Sequence, residues 1–171
     1  MKRTFFSLLM AFVSVAVVMA QKYATVDMAY ILKNIPAYER ANEQLTQQSK
    51  RWQGEVEILL EEAETLYKKY QAESAFLSDE QRAVREEEIL AKEKEAAELK
   101  RKYFAPSGEL YKKKESLMAP IQEEIYTAVK EVCDSRKYTM VIDKSSAMGL
   151  IYSSPSIDIS SMVLSKLGFG E

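Results

Sequence analysis

The sequence contains no histidine and a single cysteine, Cys133. A Ser-His-Asp triad, a Cys-His pair, a His-ligated metal and an intrachain disulfide are therefore excluded by inventory. Neither a GxxxxGKS/T nor a GxGxxG run occurs, so no recognisable nucleotide site is present and no ATP-driven step is expected. Neither sign of charge dominates: the formal net charge is -2. That balance argues against nucleic acid or a strongly anionic surface as the main partner. Glycine (5) and proline (4) are scarce, and 171 residues give length for one domain. Outside the first twenty residues there is no long apolar run.

Those first twenty read as a secretory signal. Met1, Lys2 and Arg3 form a basic start, Phe5 to Val18 an apolar stretch, and Val18-Met19-Ala20 an acceptable cleavage site before Gln21. The run is short for a membrane span, and Gln21 after the cut speaks against a lipoprotein. The expected product is exported to the periplasm, cleaved after Ala20, with 22 basic residues against 26 acidic ones.

What the chain has in abundance is heptad periodicity. Tyr38, Leu45, Trp52, Leu59 and Leu66 recur every seven positions, with Ala41, Val56, Ala63 and Tyr70 three or four residues off that series. After a break, Ile89-Leu90, Ala96-Ala97, Tyr103-Phe104, Leu110-Tyr111 and Leu117-Met118 keep the same period. Ser78 followed by Gln81 is a capping-box pattern that should start the second helix. The spacing predicts an antiparallel coiled-coil hairpin over residues 36–133 with its tip near 76–81. Folded about Ser78, its seam pairs Leu45 with Tyr111, Trp52 with Phe104, Leu59 with Ala97 and Leu66 with Leu90. A limb of about forty residues spans roughly 60 Å.

Three features inside this pattern carry expectations of their own. Gly54 weakens the outgoing helix. The apolar pairs keep step through Pro106, so a bend without a break is expected there. They slip by one after Pro120, which is expected to kink the helix and mark where arm meets body. Packing places Trp52 and Phe104 on the seam. Tyr67, Tyr70, Phe76, Leu77 and Tyr103, beside the seam or at the tip, are the candidates for contact with a bound partner.

Residues 21–35 and 134–171 remain for a small β body. Tyr23–Asp27, Tyr138–Asp143 and Leu150–Ser153 read as three short strands, the last two joined by a hairpin-like connection over 144–149. Asp27 is a plausible cap for a helix over Met28–Lys33. Asp158 should cap a terminal helix from Ile159 to Leu167, stopped by Gly168. So small a sheet has open edges, and merging several copies into one closed body is the simplest remedy. Tyr23, Val26, Met140, Val141, Ile142, Leu150, Tyr152, Val163 and Leu167 are the expected body and oligomer residues. Cys133 is read as a small buried hydrophobe near it. The fold class is α+β, mainly α.

This order of elements resembles the OmpH/Skp family of periplasmic chaperones for outer-membrane proteins. The likeness is carried by Tyr23-Ala-Thr-Val-Asp-Met-Ala-Tyr-Ile-Leu32, Ile35-Pro36-Ala-Tyr38, Lys102-Tyr-Phe-Ala-Pro-Ser-Gly-Glu-Leu110 and Ala119-Pro120-Ile-Gln122. Tyr138 to Lys144 and Ile157 to Leu164 complete it. The resemblance implies a homotrimer whose strands form a central barrel and whose arms enclose an unfolded outer-membrane protein, without cofactor, metal or catalysis. Basic members of such a family attract lipopolysaccharide; the mildly acidic balance here puts that in doubt. A structural or adaptor hairpin, of the kind found in periplasmic efflux adaptors, is the reading from another class. It ordinarily comes with lipoyl-like half motifs and a much longer chain.

Overall fold

The computed structural model describes residues 22–170. The signal segment 1–20 and its cleavage point lie outside them. The chain divides into two compact units: Ile35–Ile125, and the described residues before and after it.

The first unit is a helical hairpin. Helix α2, Pro36–Glu73, begins with a proline whose missing N–H costs nothing in the first turn. It ends in a single 3-10 turn, Ser74–Phe76, followed by extended Leu77. Ser78 then caps α3, Asp79–Phe104, by the reciprocal bonds of a capping box: the Gln81 amide donates to Ser78 Oγ at 3.3 Å, and the Ser78 amide donates to Gln81 Oε1 at 2.9 Å. Arg82 Nε donates to the Ser74 carbonyl at 3.1 Å and ties the turn down. The tip therefore falls where the sequence places it.

Helices α2 and α3 pack along each other, but in a register one residue from the expected one on the returning side. The buried positions are Ala41, Val56 and Ala63 on α2, and Ile89, Ala96 and Tyr103 on α3. Leu45, Trp52, Leu59 and Leu66 flank the α2 series half-buried. Leu90 is 63% exposed, Ala97 and Tyr111 are exposed, and Phe104 is half-buried. Trp52 stacks on Tyr103, with ring centroids 4.6 Å apart, instead of meeting Phe104. The reason lies in the alternating three- and four-residue steps of a seam. From Ile89, Ala96 and Tyr103 those steps also require Arg85, Lys92 and Leu99, and two of these are charged. All three are half-buried: the aliphatic stems can pack while the charged ends reach carboxylates, Lys92 to Glu62 at 2.8 Å and Arg85 to Glu88 at 3.0 Å.

At Pro106 the helix breaks; it does not bend. Pro106 disfavours helical backbone at the residue before it, and Ala105 is extended (φ -61°, ψ 159°). A new helix, α4, runs from Glu109 to Arg136. Gly108 bridges the two, its amide donating to the Ala105 carbonyl at 2.8 Å. A Cβ at Gly108 would stand 2.8 Å from the carbonyl oxygens of both Lys102 and Tyr103, so only glycine fits. Pro120, by contrast, lies inside the uninterrupted α4, and the division between the units falls later, after Ile125. Met118, Ile121, Ile125, Ala128 and Val132 form the buried face of α4.

In the other unit, β1 (Lys22–Val26) pairs in parallel with β2 (Tyr138–Asp143), setting Ala24 beside Val141 and Thr25 beside Ile142. Asp27 caps α1, Met28–Lys33, accepting the Tyr30 amide at 2.9 Å. The far edge of β1 is taken at Asp158, and the Ile159 amide donates to the Thr25 carbonyl at 2.9 Å.

The stretch 150–153 forms no strand, which corrects the expected count of three. Asp143 captures the Ser145 amide and the Ser145 and Ser146 hydroxyls, so β2 ends in a run of turns in place of a hairpin. No ladder partner meets 150–153 among the described residues. The terminal helix α5 is Ser160–Lys166. Ile159 occupies its cap position, and Asp158, one residue earlier, accepts the Ser160 amide at 2.9 Å. Gly168, at φ +83°, closes the helix in a Schellman turn, with the Phe169 amide on the Leu164 carbonyl. Ile31, Ile159 and Val163 are fully buried, and α1 packs on α5.

Candidate binding surface

Two kinds of apolar surface are left uncovered. On the hairpin they are dispersed: Phe76 at the tip is 88% exposed, and Tyr67 is about half exposed. Leu77 is half-buried and lines a tip hollow of about 330 Å³ with Val84 and Arg85. Tyr70 is half-buried, and its hydroxyl donates to Glu86 Oε1 at 2.5 Å.

Tyr103, expected among the partner-contact residues, is instead in the seam. Its ring lies on Trp52 and its hydroxyl donates to Glu55 Oε2 at 2.6 Å. That bond holds the phenol above its ordinary pKa. Leu90, expected on the seam, is exposed, and surface not singled out from the sequence includes Ile58, Leu60 and Val84, all at least half exposed. Their signal was available: large aliphatic side chains off the heptad seam, where a charged residue is the usual choice.

A larger groove, about 600 Å³, opens beside the break between α3 and α4. Leu45, Phe104, Leu110 and Tyr111 supply its apolar surface, and Lys50 and Lys114 also line it. Leu45 and Tyr111, expected as seam partners, both line this open groove and form no closed seam.

In the β unit the uncovered surface is concentrated. Tyr23, Met140 and Ile142 are exposed on the two strands, and Met148, Ile151 and Tyr152 are almost wholly exposed in the loop that follows. Val141, Leu150 and Leu167 are half-buried. Val26 and Val163 belong to the chain's own core, at 4% and 0% exposure, and offer nothing to a neighbouring copy. Cys133 is half-buried, and burial raises its thiol pKa. No group of three metal-capable side chains occurs, and no helix is long and apolar enough to cross a membrane, among the described residues.

Residues 22–167 match the family described as Outer membrane protein (OmpH-like). The chain belongs to the OmpH-like family. Its fold is also that of a Caulobacter crescentus protein assigned as an OmpH-like outer membrane chaperone. The TM-score is 0.68 at 12% identity, covering 88% of this chain and 86% of that one. No curated protein matches in sequence.

The OmpH-like chain fastens its β unit with a charged knot at the strand ends. Lys144 Nζ lies 2.6 Å from Asp158 and 3.6 Å from Asp27, and the Asp158 bond, with the two negative charges, holds the ammonium above its usual pKa. Burial pushes the Asp143 carboxyl up, but the Ser146 and Ser145 hydroxyls and the Met28 and Ser145 amides outweigh it and hold the group below its usual value. Asp158 is likewise lowered: Lys144 and Ser160 overcome its burial. The Asp27 amide donates to Ser160 Oγ at 2.8 Å, completing a link from β1 to α5. These groups are consumed in holding one another, which makes the knot structural.

Proposed function

We propose that the protein is an ATP-independent holdase of the periplasm, in which the helical hairpins of a homotrimer enclose unfolded outer-membrane proteins and prevent their aggregation. Beyond family membership, the observation that carries this reading is the contrast between the two apolar surfaces. The hairpin scatters single exposed side chains, among them Tyr67, Phe76 and Leu90, along α2, the tip and α3. Such a surface offers many weak contacts and no single anchor, which suits a client that must stay mobile and leave without an energy source. An unfolded membrane barrel presents alternating apolar residues that would otherwise associate in water.

The β unit supports assembly with further copies of the chain. A two-stranded sheet is marginal alone, and the exposed Met140 and Ile142 on β2 and Ile151 and Tyr152 in the loop after it are apolar side chains that further copies would cover. The signal segment delivers the chain to the periplasm, and no chemical step is involved.

The test is light scattering from an outer-membrane barrel diluted out of urea. Roughly one trimer per client should suppress the signal. A purely structural or adaptor hairpin would leave it unchanged, and that result refutes the holdase reading. Size-exclusion chromatography with light scattering should give three times the chain mass, and a monomer removes the enclosure.

A further inference from the structure

We propose that charge on the outer part of the hairpin sets how far the arms of the assembly stand apart, so that they are held open in dilute salt and draw together as salt is added. The proposal rests on the trimeric holdase reading above and adds a control over its opening.

The nearly balanced net charge hides a segregation along the chain. Residues 55–98 contain 14 acidic and 6 basic side chains, a formal charge of -8, whereas residues 21–54 and 99–171 contain 12 acidic and 16 basic ones, or +4. The acidic block is the outer end of α2, the tip and most of α3. Within it Lys68, Arg82, Arg85 and Lys92 each have a carboxylate partner on the same hairpin. Pairing Lys69 and Lys94 as well would still leave a surplus of eight carboxylates, so the surplus belongs to the whole segment and not to any one contact.

A segment of about twenty residues on each limb is roughly 30 Å long. Salt sets the reach of its field: about 30 Å at 10 mM and about 8 Å at physiological ionic strength. In dilute salt, three such segments joined to one body repel across the space they enclose. At higher ionic strength they no longer sense one another.

The charge also begins where the hairpin is weakest. Glu55 follows Gly54, the one glycine of α2, and on the other limb α3 stops at Phe104, soon after Glu98, with the chain broken over 105–108. Both features lie within about two turns of the Trp52–Tyr103 stack. A helix-weakening glycine on one limb and a break on the other put the joint at the inner edge of the acidic block. Repulsion between the ends thus acts on a joint, and not on two unbroken helices. The scattered apolar side chains still make the contacts with client, so the charge moves the arms without adding an attraction, and its effect is read on the client-free assembly.

The experiment is small-angle X-ray scattering of the client-free mature protein, extrapolated to zero protein concentration, with the mass taken from light scattering at each salt. The radius of gyration should fall by several ångströms between about 10 and about 300 mM salt while the mass stays at three chains. Glu57, Glu87, Glu93 and Glu98 are exposed and, among the described residues, engage in no side-chain hydrogen bond or ion pair. Replacing all four by glutamine halves the charge of the block to -4. Repulsion scales with the product of the charges, so the contraction should shrink about fourfold. Replacing Glu39, Glu43, Glu123 and Glu124 by glutamine, all exposed and outside the block, changes the net charge equally and should leave the contraction as in the wild type.

A trimer whose radius of gyration is the same at both salts overturns the proposal, as does an equal loss of contraction in the two variants, which would make it an effect of net charge. If aggregation of client is suppressed without any contraction, the control of opening fails and the holdase reading stands. If the trimer contracts as expected but suppresses nothing, the control stands and the holdase reading falls. A monomeric mass removes the assembly, and this proposal with it.

Discussion

Replacing Tyr103 and Phe104 by alanine, one at a time, separates the observed seam register from the neighbouring one. Tyr103 is 9% exposed, stacks on Trp52 at 4.6 Å and bonds Glu55. Deleting a buried aromatic side chain costs about 3 to 5 kcal/mol, which here includes a stacking contribution of about 1 kcal/mol. Phe104 is half-buried on the groove. Its removal forfeits only part of the burial energy of a phenylalanine, about 1 kcal/mol. Tyr103→Phe keeps the stack and loses only the hydroxyl, for a cost of about 1 kcal/mol.

The assay is urea unfolding followed by far-ultraviolet circular dichroism and by fluorescence of Trp52, the only tryptophan and itself a member of the stack. Protomer concentration is held fixed, because assembly shifts apparent stability. The native emission of Trp52 should change in Tyr103→Ala and stay near wild type in Phe104→Ala. If Phe104→Ala proves the more destabilising of the two, the register described above is wrong.

Three further outcomes follow from the same structure. Gly108→Ala should lose about 1 to 3 kcal/mol because its Cβ meets two carbonyl oxygens, whereas Gly54→Ala, with nothing within 4 Å, should gain about 0.5 to 1 kcal/mol in the same unfolding series. Asp143 and Asp158 have lowered pKa values, so their contribution is present above the ordinary carboxylate pKa of about 4 and is lost as pH falls through the folded values; Lys144 is raised, and its contribution is full below about 10.4 and lost above that. Thermal midpoints measured across pH should therefore be level from the carboxylate limit up to about 8.5, the ordinary thiol pKa, above which the raised pKa of Cys133 begins to cost stability, and Asp143→Asn should flatten part of the acid limb; an unchanged acid limb would remove Asp143 from the account. Client binding should weaken only modestly with added salt, since a nearly balanced net charge leaves little simple attraction to screen, and a steep salt dependence would contradict this.

What could be read from the residues alone tracks how local the deciding physics is. Ser78 and Gln81 settle the tip between themselves, Asp27 starts α1 with its own carboxylate, and Gly168 ends α5 through its own left-handed backbone. The heptads locate the hairpin for the same reason. The register on the returning side was not legible, because each apolar pair offers two candidates and the choice falls to Arg85 and Lys92, which a hydrophobic pattern counts as outside. At Pro106 the period of seven runs on through the break, and the pattern hides what backbone sterics at Ala105 enforce. The groove was invisible for the same cause, since it exists only where the helix stops.

The unpaired stretch 150–153 marks a different limit. Ile151 and Tyr152 have strand-forming side chains, and the edge of β2 away from β1 has no ladder partner among the described residues, yet the turns that Asp143 captures carry 150–153 past that edge without pairing to it. Strand propensity reports the fit of a side chain to a pleated surface, without saying whose surface it is. The same residues are among the most exposed apolar side chains of the β unit, next to Met148. A stretch with strand composition, no partner in its own chain and full exposure is the combination expected where a sheet is completed between copies. On this argument the error in strand count and the proposed trimer have a single origin: the sequence encodes an edge that one chain cannot fill.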